Sequence, residues 1–593
     1  MKKFTLLIFL LSFLLSFSQS TIEGFIFDKE TKTSLPYATI KIISKNNYYT
    51  ITNEDGKFEI YDRFSLDSLE VRFIGFKTKK VAVSYFKEHS KLYLTANTFQ
   101  LNQVLVVAKK DKNYKYKLLN SLIQKYRAKQ LITKSKAFLT LTSSARGVPI
   151  ETIEGFYNSE QNASKGIVGL ELKSGRFGQN ATFPFYSLNN TDILKDFQLF
   201  KKNKQILPLY PGNLTLGAIK AKYKVTIDVC TSCDFEDVSI SFVPKRVNGR
   251  LLAGTIIFNK KSLTIKKISL RGEDMVADGL SSIIEDDTVT PKSIQLNINF
   301  NPHDYDKIQS IDFEFTMNYR SKDNFEIITS NSLLYFYDYN ITFNTPYFTN
   351  NIHFNNDYDK IRTLQASEEF WNLNYQFPKS YKEKMSLDFF KKYGYLINYN
   401  TTIPSGYLQY IRPSIIAWQE NKPLKWPDIK LSLKKGKESA IDHKAYKQGA
   451  TKAVDKEAYS ISEIKQKPNK SEKDEQLNFS FLLDVYINKL GEQQFSTKTL
   501  FDRNSSFCSY NRTNHKLMYI NLIFDVYEIY NRELKAELSK SSSYEEATIL
   551  CNQKFNEAIA TVDKMKLETG KGISFQDLVR WSENVNKKLN SNQ

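Results

Sequence analysis

From about residue 136 to 350, apolar and polar side chains alternate with a period of two. Ile294, Leu296, Ile298 and Phe300 interleave with Gln295, Asn297 and Asn299. Ile311, Phe313, Phe315, Met317 and Tyr319 interleave with Asp312, Glu314, Thr316 and Asn318. A strand of this kind buries one face and wets the other, which is the mark of antiparallel sheet. The stretch 249–272 reads as consecutive strands joined by a turn at Asn259, Lys260 and Lys261. Just before this region the period changes. Leu118, Leu119, Leu122, Ile123 and Tyr126 fall at helical spacing, so 113–130 is an amphipathic helix whose stripe reads as core. The expectation for 111–350 is one large curved sheet, up to a half-barrel, with this helix packed on it.

Residues 19–110 read differently. Short strands are predicted at 21–27, 38–44, 48–52, 57–60, 68–73, 77–83, 92–94 and 104–107, with turn signals between them. So many strands in so short a stretch indicate a β-sandwich. "TNEDGKFEI" (52–60) reads as the turn of a tight hairpin: Gly56 supplies a positive φ, and Asn53 and Asp55 bond neighbouring backbone. A calcium- or ligand-binding acidic loop is the rival reading of the same residues.

Beyond 350 the pattern fragments. Residues 351–433 are mixed, with a helix expected near 380–393. Residues 434–476 are dense in charge and poor in apolar side chains, and read as a flexible linker. Four apolar stripes follow in 477–593. They are Phe481, Leu482, Val485, Tyr486 and Leu490; Leu517, Ile520, Phe524, Tyr527 and Leu534; Ala547, Cys551, Phe555, Ile559 and Val562; and Phe575, Leu578 and Trp581. Read as helices, they make a small bundle. The fold class is therefore multidomain: an all-β sandwich, a curved antiparallel sheet with a helix, and a C-terminal helical bundle.

Composition places this architecture. Lys2 and Lys3 precede an apolar run at 4–17, too short for a comfortable membrane span, with Ser16 and Ser18 placed for cleavage before Gln19. This predicts a signal peptide at 1–18 and a periplasmic or outer-membrane-associated protein, peripheral rather than transmembrane. The formal charge of +20 suggests nucleic acid, but export argues against it. An anionic surface glycan or lipid, or other envelope proteins, are the expected partners. Excess lysine on solvated faces is the plain alternative.

The sandwich also carries a resemblance. "IEGFIFDKETKTSLPYATIKI", "TNEDGKFEI" and "LEVRFIGFKTKKV" are similar to the carboxypeptidase-regulatory-like domain. The positions that carry it are Gly24, Asp28, Leu35, Pro36, Ala38, Thr52, Asn53, Asp55, Gly56, Phe58, Ile74, Gly75 and Phe76. "LNQVLVVAKK" (101–110) resembles the strand that closes this domain in cell-envelope proteins of Bacteroidetes-type bacteria. The resemblance implies a transthyretin-like sandwich of seven or eight strands serving as an accessory module. "YKVTIDV", "SISFVPKR" and "GTIIFNKKSLTIKKISL" are more weakly similar to the β-region that follows it in large envelope proteins. An outer-membrane barrel usually comes next in those relatives; no long series of amphipathic strands follows 350 here.

A module of that name invites a peptidase reading, and the residues do not support one. A zinc carboxypeptidase needs His and Glu close in sequence and a distant His. His89, His303, His353, His443 and His515 begin no HxxE or HExxH motif. There is no GxSxG elbow and no Walker loop. Cys230 and Cys233 have CxxC spacing but follow a strand, which favours a local disulfide or thiol pair over redox or metal roles. Cys508 and Cys551 complete the set. Glu285, Asp286 and Asp287 read as a solvated turn. Asn514, Asn521, Asp525 and Glu528, with His515 one residue off, share a helix face that reads as exposed, with an internal Arg or Lys pairing; a cation or a protein is the alternative. No catalytic, cofactor-binding or metal site is assigned. The leading expectation is a non-catalytic envelope protein using its sandwich as an interaction module. A carrier of an apolar, lipid-like ligand in the curved sheet and a hydrolase with an unrecognised site are the rivals.

Overall fold

The computed structural model describes residues 21–43, 49–61, 68–96, 113–183, 193–195, 197–201, 207–229, 237–276, 287–321, 324–352, 354, 356–364, 367–374, 378–399, 414–431, 475–488, 490–509 and 512–591. The signal peptide expected at 1–18, the strand expected at 104–107, Cys230 and Cys233, and Glu285 and Asp286 lie outside the described residues. So does the linker at 434–476, apart from its last two positions.

Seven strands build the N-terminal sandwich: β1 (Thr21–Asp28), β2 (Thr39–Ile43), β3 (Tyr49–Ile51), β4 (Lys57–Tyr61), β5 (Ser68–Arg72), β6 (Lys79–Ala82) and β7 (Lys91–Leu94). They form two sheets, ordered β4-β1-β7 and β3-β2-β5-β6. Between them Ile26, Ile40, Phe58, Leu69 and Leu92 are fully buried. Each such side chain contributes roughly 1.5–3 kcal/mol of transfer free energy. A short helix, α1 (Tyr85–Glu88), closes one end with Phe86. Asn53 Oδ1 accepts from the amides of Asp55 (2.9 Å) and Lys57 (2.8 Å), and Gly56 has φ +75°. A Cβ on Gly56 would lie 2.7 Å from the Ile26 carbonyl, so no other residue fits. The turn is formed as expected, with one correction. β3 pairs with β2 and β4 with β1, so the turn carries the chain from one sheet to the other rather than closing a hairpin.

The middle region is a single eleven-stranded antiparallel sheet. Its strands are β8 (Ile132–Ala145), β9 (Val148–Asn162), β10 (Gly166–Asn180), β11 (Tyr223–Val229), β12 (Asp237–Pro244), β13 (Ala253–Asn259), β14 (Thr264–Glu273), β15 (Thr288–Asn301), β16 (Asp304–Ser321), β17 (Asn324–Tyr337) and β19 (Gly394–Ile397), the two-residue β18 (Tyr347–Phe348) belonging elsewhere. The order is β11-β12-β13-β14-β15-β16-β17-β8-β9-β10-β19, with β11 and β19 at the edges. Helices α2 (Tyr114–Arg127) and α3 (Leu216–Lys222) cover one face. Leu119, Leu122, Ile123 and Tyr126 of α2 are fully buried there with Phe242, Ile256 and Ile268. Tyr126 Oη accepts from the Ile265 amide at 2.8 Å, which satisfies the one polar atom of the stripe. The apolar cavity beside Ile193, Met275 and Phe313 holds about 20 Å³. That is the scale of one water and not of a lipid chain.

The C-terminal region departs from expectation at its start. β22 (Phe479–Ile487) and β23 (Gln493–Asp502) form a hairpin inside a four-stranded sheet, β18-β22-β23-β20, with β20 at Ile415–Ala417. The stripe Phe481, Leu482, Val485, Tyr486 and Leu490 is thus not helical. β22 is buried on both faces from Phe479 to Val485, so its apolar run shows no two-residue alternation and imitates helical spacing. The other three stripes are helices: α7 (Asn514–Leu538), α8 (Tyr544–Thr569) and α9 (Phe575–Ser591). Thr513 and Ser543 cap α7 and α8, their hydroxyls accepting from the amides of Lys516 and Glu546. The end of the charged segment, β21 (Glu475–Gln476), pairs with β24 (Phe507–Cys508).

Candidate functional site

The second face of the large sheet is where the other units meet. α4 (Asp357–Thr363), α5 (Glu368–Leu373) and α6 (Tyr381–Tyr393) lie in the connecting region. Cross-strand register sets a row of Asp312, Leu333, Thr140, Glu154 and Arg176 across β16, β17, β8, β9 and β10. The row beside it is Ser310, Tyr335, Phe138, Phe156 and Ser174. Phe370 and Trp371 of α5 pack on Phe138 and Phe156, joined by Ile51 and Tyr37 of the sandwich and Tyr486 of the hairpin. Trp371 Nε1 donates to Ser174 Oγ at 2.9 Å.

Glu154 is the charged centre of this face. Arg176 Nε donates to its Oε2 at 2.6 Å, Tyr399 Oη donates to the same oxygen at 2.8 Å, and Lys379 donates to Oε1. Burial alone would raise Glu154; Lys379 and Arg176 outweigh it and hold the carboxyl well below its usual range. The Arg176 guanidinium stacks 3.9 Å from the Trp371 ring and 4.6 Å from that of Tyr399. Every charge here has a counter-charge within the chain, so the cluster holds elements in register.

The sandwich docks through its turn. Asn53 Nδ2 donates to the Pro378 carbonyl at 2.9 Å. The Tyr381 amide donates to Asp55 Oδ2 at 2.7 Å, placing a carboxylate at the first turn of α6, where the helix dipole favours it. Thr39 Oγ1 donates to Gln309 Oε1 at 3.3 Å. Tyr37 reaches the junction from a left-handed backbone, φ 62°, a strained conformation for a bulky residue.

Two cavities flank this junction. One, of about 140 Å³, lies between Glu54, Asp312, Glu314, Glu383 and Lys382. Desolvation raises Glu54, and Glu383 adds to it; burial raises Asp312 against the opposing Asn297 hydrogen bond and Lys267. Glu383 is occupied elsewhere, accepting from Thr140 Oγ1 at 2.8 Å and capping α6 through the Ser380 amide at 2.7 Å. The other, about 350 Å³, is lined by Lys173, Phe370, Asp484, Tyr486 and Gln494. Lys173, 2% exposed, donates to Asp484 and to the Val485 carbonyl (2.7 Å), tying β10 to the hairpin. Burial raises Asp484 despite Lys173. Among the described residues, no three His, Cys, Asp or Glu side chains are placed to hold a metal ion.

The other residues marked in the sequence are structural. Asp287 is buried and accepts from Tyr319, so it is no solvated turn. The α7 face is not exposed. Asn521 Oδ1 accepts from the Leu424 amide (2.6 Å), Asp525 from Trp418 Nε1 (2.8 Å), and Glu528 from Thr499 Oγ1 (2.7 Å). Glu528 also takes the expected arginine, Arg532, at 3.1 Å. Asn514 lies outside this packing, and His515 stacks on Phe575 at 4.7 Å. Cys508 and Cys551 are buried and in no disulfide; burial pushes the Cys551 thiol up to about 12. Sequence reasoning missed Tyr37, Glu154, Arg176, Lys173 and Asp484. The available signal was charge inside strand patterns, as in "IETIEGF" of β9.

The class these observations define is a multidomain β-rich protein whose regulatory-type sandwich is bolted to a large sheet and a helical unit. Residues 22–106 match the CarboxypepD_reg-like domain. No curated protein matches the chain. Among solved structures, the complex of Pseudomonas aeruginosa MucA/MucB is similar at 9% identity, covering 37% of this chain and 92% of that one, with a TM-score of 0.14. A crystal structure of MucB in complex with MucA(peri) covers the same shares at 8% identity and a TM-score of 0.12. Similarities at that level carry no argument about fold or function.

Proposed function

We propose that the chain is an exported, non-catalytic cell-envelope protein whose sandwich is an interaction module. One observation carries this reading: the strand order β3-β2-β5-β6. The turn after β3, together with Thr39 of β2, is committed to the large sheet and α6. β6 is at the opposite edge, bonded to β5 on one side, with Lys79 and Lys80 exposed. An extended segment of a partner can add to such an edge through its main chain. The edge lysines discourage indiscriminate pairing. Among the described residues no helix is long and apolar enough to cross a membrane.

The test has two parts. The full chain, expressed in a bacterial host, is assayed for N-terminal processing and for protease accessibility after the outer membrane is permeabilised. The purified protein is then incubated with a peptide library, with and without a chelator. The reading expects a processed protein outside the cytoplasm and no peptide trimming. Cytoplasmic retention, or trimming that chelation abolishes, overturns it.

A further inference from the structure

A second surface lies where α3 runs into the edge strand β11. Lys220, Lys222 and Lys224 fall within five residues, and Lys245, Arg246 and Arg250 lie in the connection from β12 to β13. The fold gathers them. The Lys245 amide donates to the Lys222 carbonyl at 2.7 Å, and its Nζ to the Lys220 carbonyl at 2.7 Å. Lys224 stands opposite Val243 in the β11–β12 register. Among the described residues, Lys222, Lys224 and Arg246 have no carboxylate in ion-pair range. Asp274, whose carbonyl lies 2.2 Å from where a Gly249 Cβ would be, is a carboxylate residue at the rim.

Three large apolar side chains are exposed at the same corner. Val243 is 49% exposed, Val247 85% and Val276 39%. Val276 is brought there by its amide, which donates to the Gly249 carbonyl at 2.9 Å. Val247 is flanked in sequence by Arg246 and Asn248 at the tip of the connection. Cations alone would suit any polyanion, but a glycan offers the valines nothing. An apolar peptide offers the cations nothing. A leaflet with anionic headgroups answers both, since headgroups meet Lys and Arg while short apolar side chains enter the interface.

We propose that this corner docks on a membrane surface bearing anionic lipid. The proposal rests on the envelope reading for access to such a membrane. The experiment does not: it uses purified protein, so failure to bind lipid would leave the export result standing, and cytoplasmic retention would leave the binding result standing.

The purified protein, its N-terminus checked by mass, is floated with vesicles of phosphatidylcholine alone and of phosphatidylcholine with phosphatidylglycerol. Recovery is expected with the anionic vesicles and should fall as salt rises. Removing Lys222, Lys224 and Arg246 together (K222A/K224A/R246A) is expected to weaken binding about 100-fold, at about fivefold per cation. An unchanged thermal midpoint shows that the variant folds. Independently of that variant, a polarity-sensitive dye on Val247→Cys should shift to the blue with anionic vesicles only. Equal binding to neutral vesicles, an unaffected triple variant, or a dye that stays in water while a soluble polyanionic glycan competes would each overturn the proposal. The last result would assign the corner to glycan.

Discussion

The two faces of the eleven-stranded sheet are sealed by different chemistry. Against α2 and α3 the sheet presents Phe242, Ile256 and Ile268, and the helices answer with leucine, isoleucine and one tyrosine. Against the sandwich, α5, α6 and the C-terminal hairpin it presents Glu154, Arg176 and Lys173 among aromatic rings. Under α2 and α3 the first face relies chiefly on burial, which is non-directional, and many apolar sequences would satisfy it; further along, buried Glu151 accepts from Tyr358 of α4. The second must fix three separate units in one arrangement. Directional pairs such as Glu154 with Lys379, 225 residues apart in the chain, do that at the cost of desolvation. The difference suggests that the helix-covered face supplies stability, while the charged face supplies geometry.

Substitutions on each face can break that distinction. The largest effect is expected from Glu154→Gln, which leaves the half-buried Arg176 and Lys379 without their counter-charge. Urea unfolding should show a loss of about 3–5 kcal/mol, and proteolysis should reach the connecting region first. Leu122→Ala, on the helix-covered face, should cost about 2–5 kcal/mol without loosening the sandwich or the hairpin. If Leu122→Ala freed the sandwich as readily as Glu154→Gln, the two faces would not differ in role.

The pH dependence sharpens the same contrast. Glu154 is held below its ordinary 4.5, so its contribution is present above that pH and is lost as pH falls from 4.5 towards the folded value. Asp484 is raised above 3.8, so its effect has the opposite sign: stability declines as pH rises from 3.8 through its folded value. Unfolding free energy followed from acid to neutral pH should therefore rise less steeply in Glu154→Gln and fall less steeply in Asp484→Asn than in the parent chain. Identical profiles for the two variants would contradict the assignment.

The smallest effects belong to the turn. Asn53→Ala removes bonds to Asp55, Lys57 and Pro378 and should cost about 1–2 kcal/mol. Asp55→Asn weakens only the exposed contact with the start of α6 and should cost about 0.3–1 kcal/mol. Amide exchange at Tyr381 is the sharper reading, since it should quicken in both variants while exchange in α2 is unchanged.

Much of the fold was legible because its patterns are local. Alternation in β15 and β16, the stripe of α2 and the glycine turn each announce themselves within a few residues. β22 was misread because burial on both faces erased the period that marks a strand. The junction was hidden for another reason. Tyr37, Glu154, Arg176 and Asp484 stand far apart in sequence, and only the sheet register brings two of them side by side. Asp287 and the α7 face were read as solvated because polar residues look alike in sequence whether water or Tyr319, Trp418 and Thr499 satisfies them.

We propose above that the sandwich, fixed on the sheet at one edge, recruits an envelope partner at the other. A photo-crosslinking amino acid at Lys80, on the edge of β6 that no described strand covers, tests it in intact cells. One reproducible adduct with an envelope protein is expected, absent when the same residue is placed at Gln309 under the docked side. No adduct from Lys80, or adducts only with cytoplasmic proteins, would contradict it.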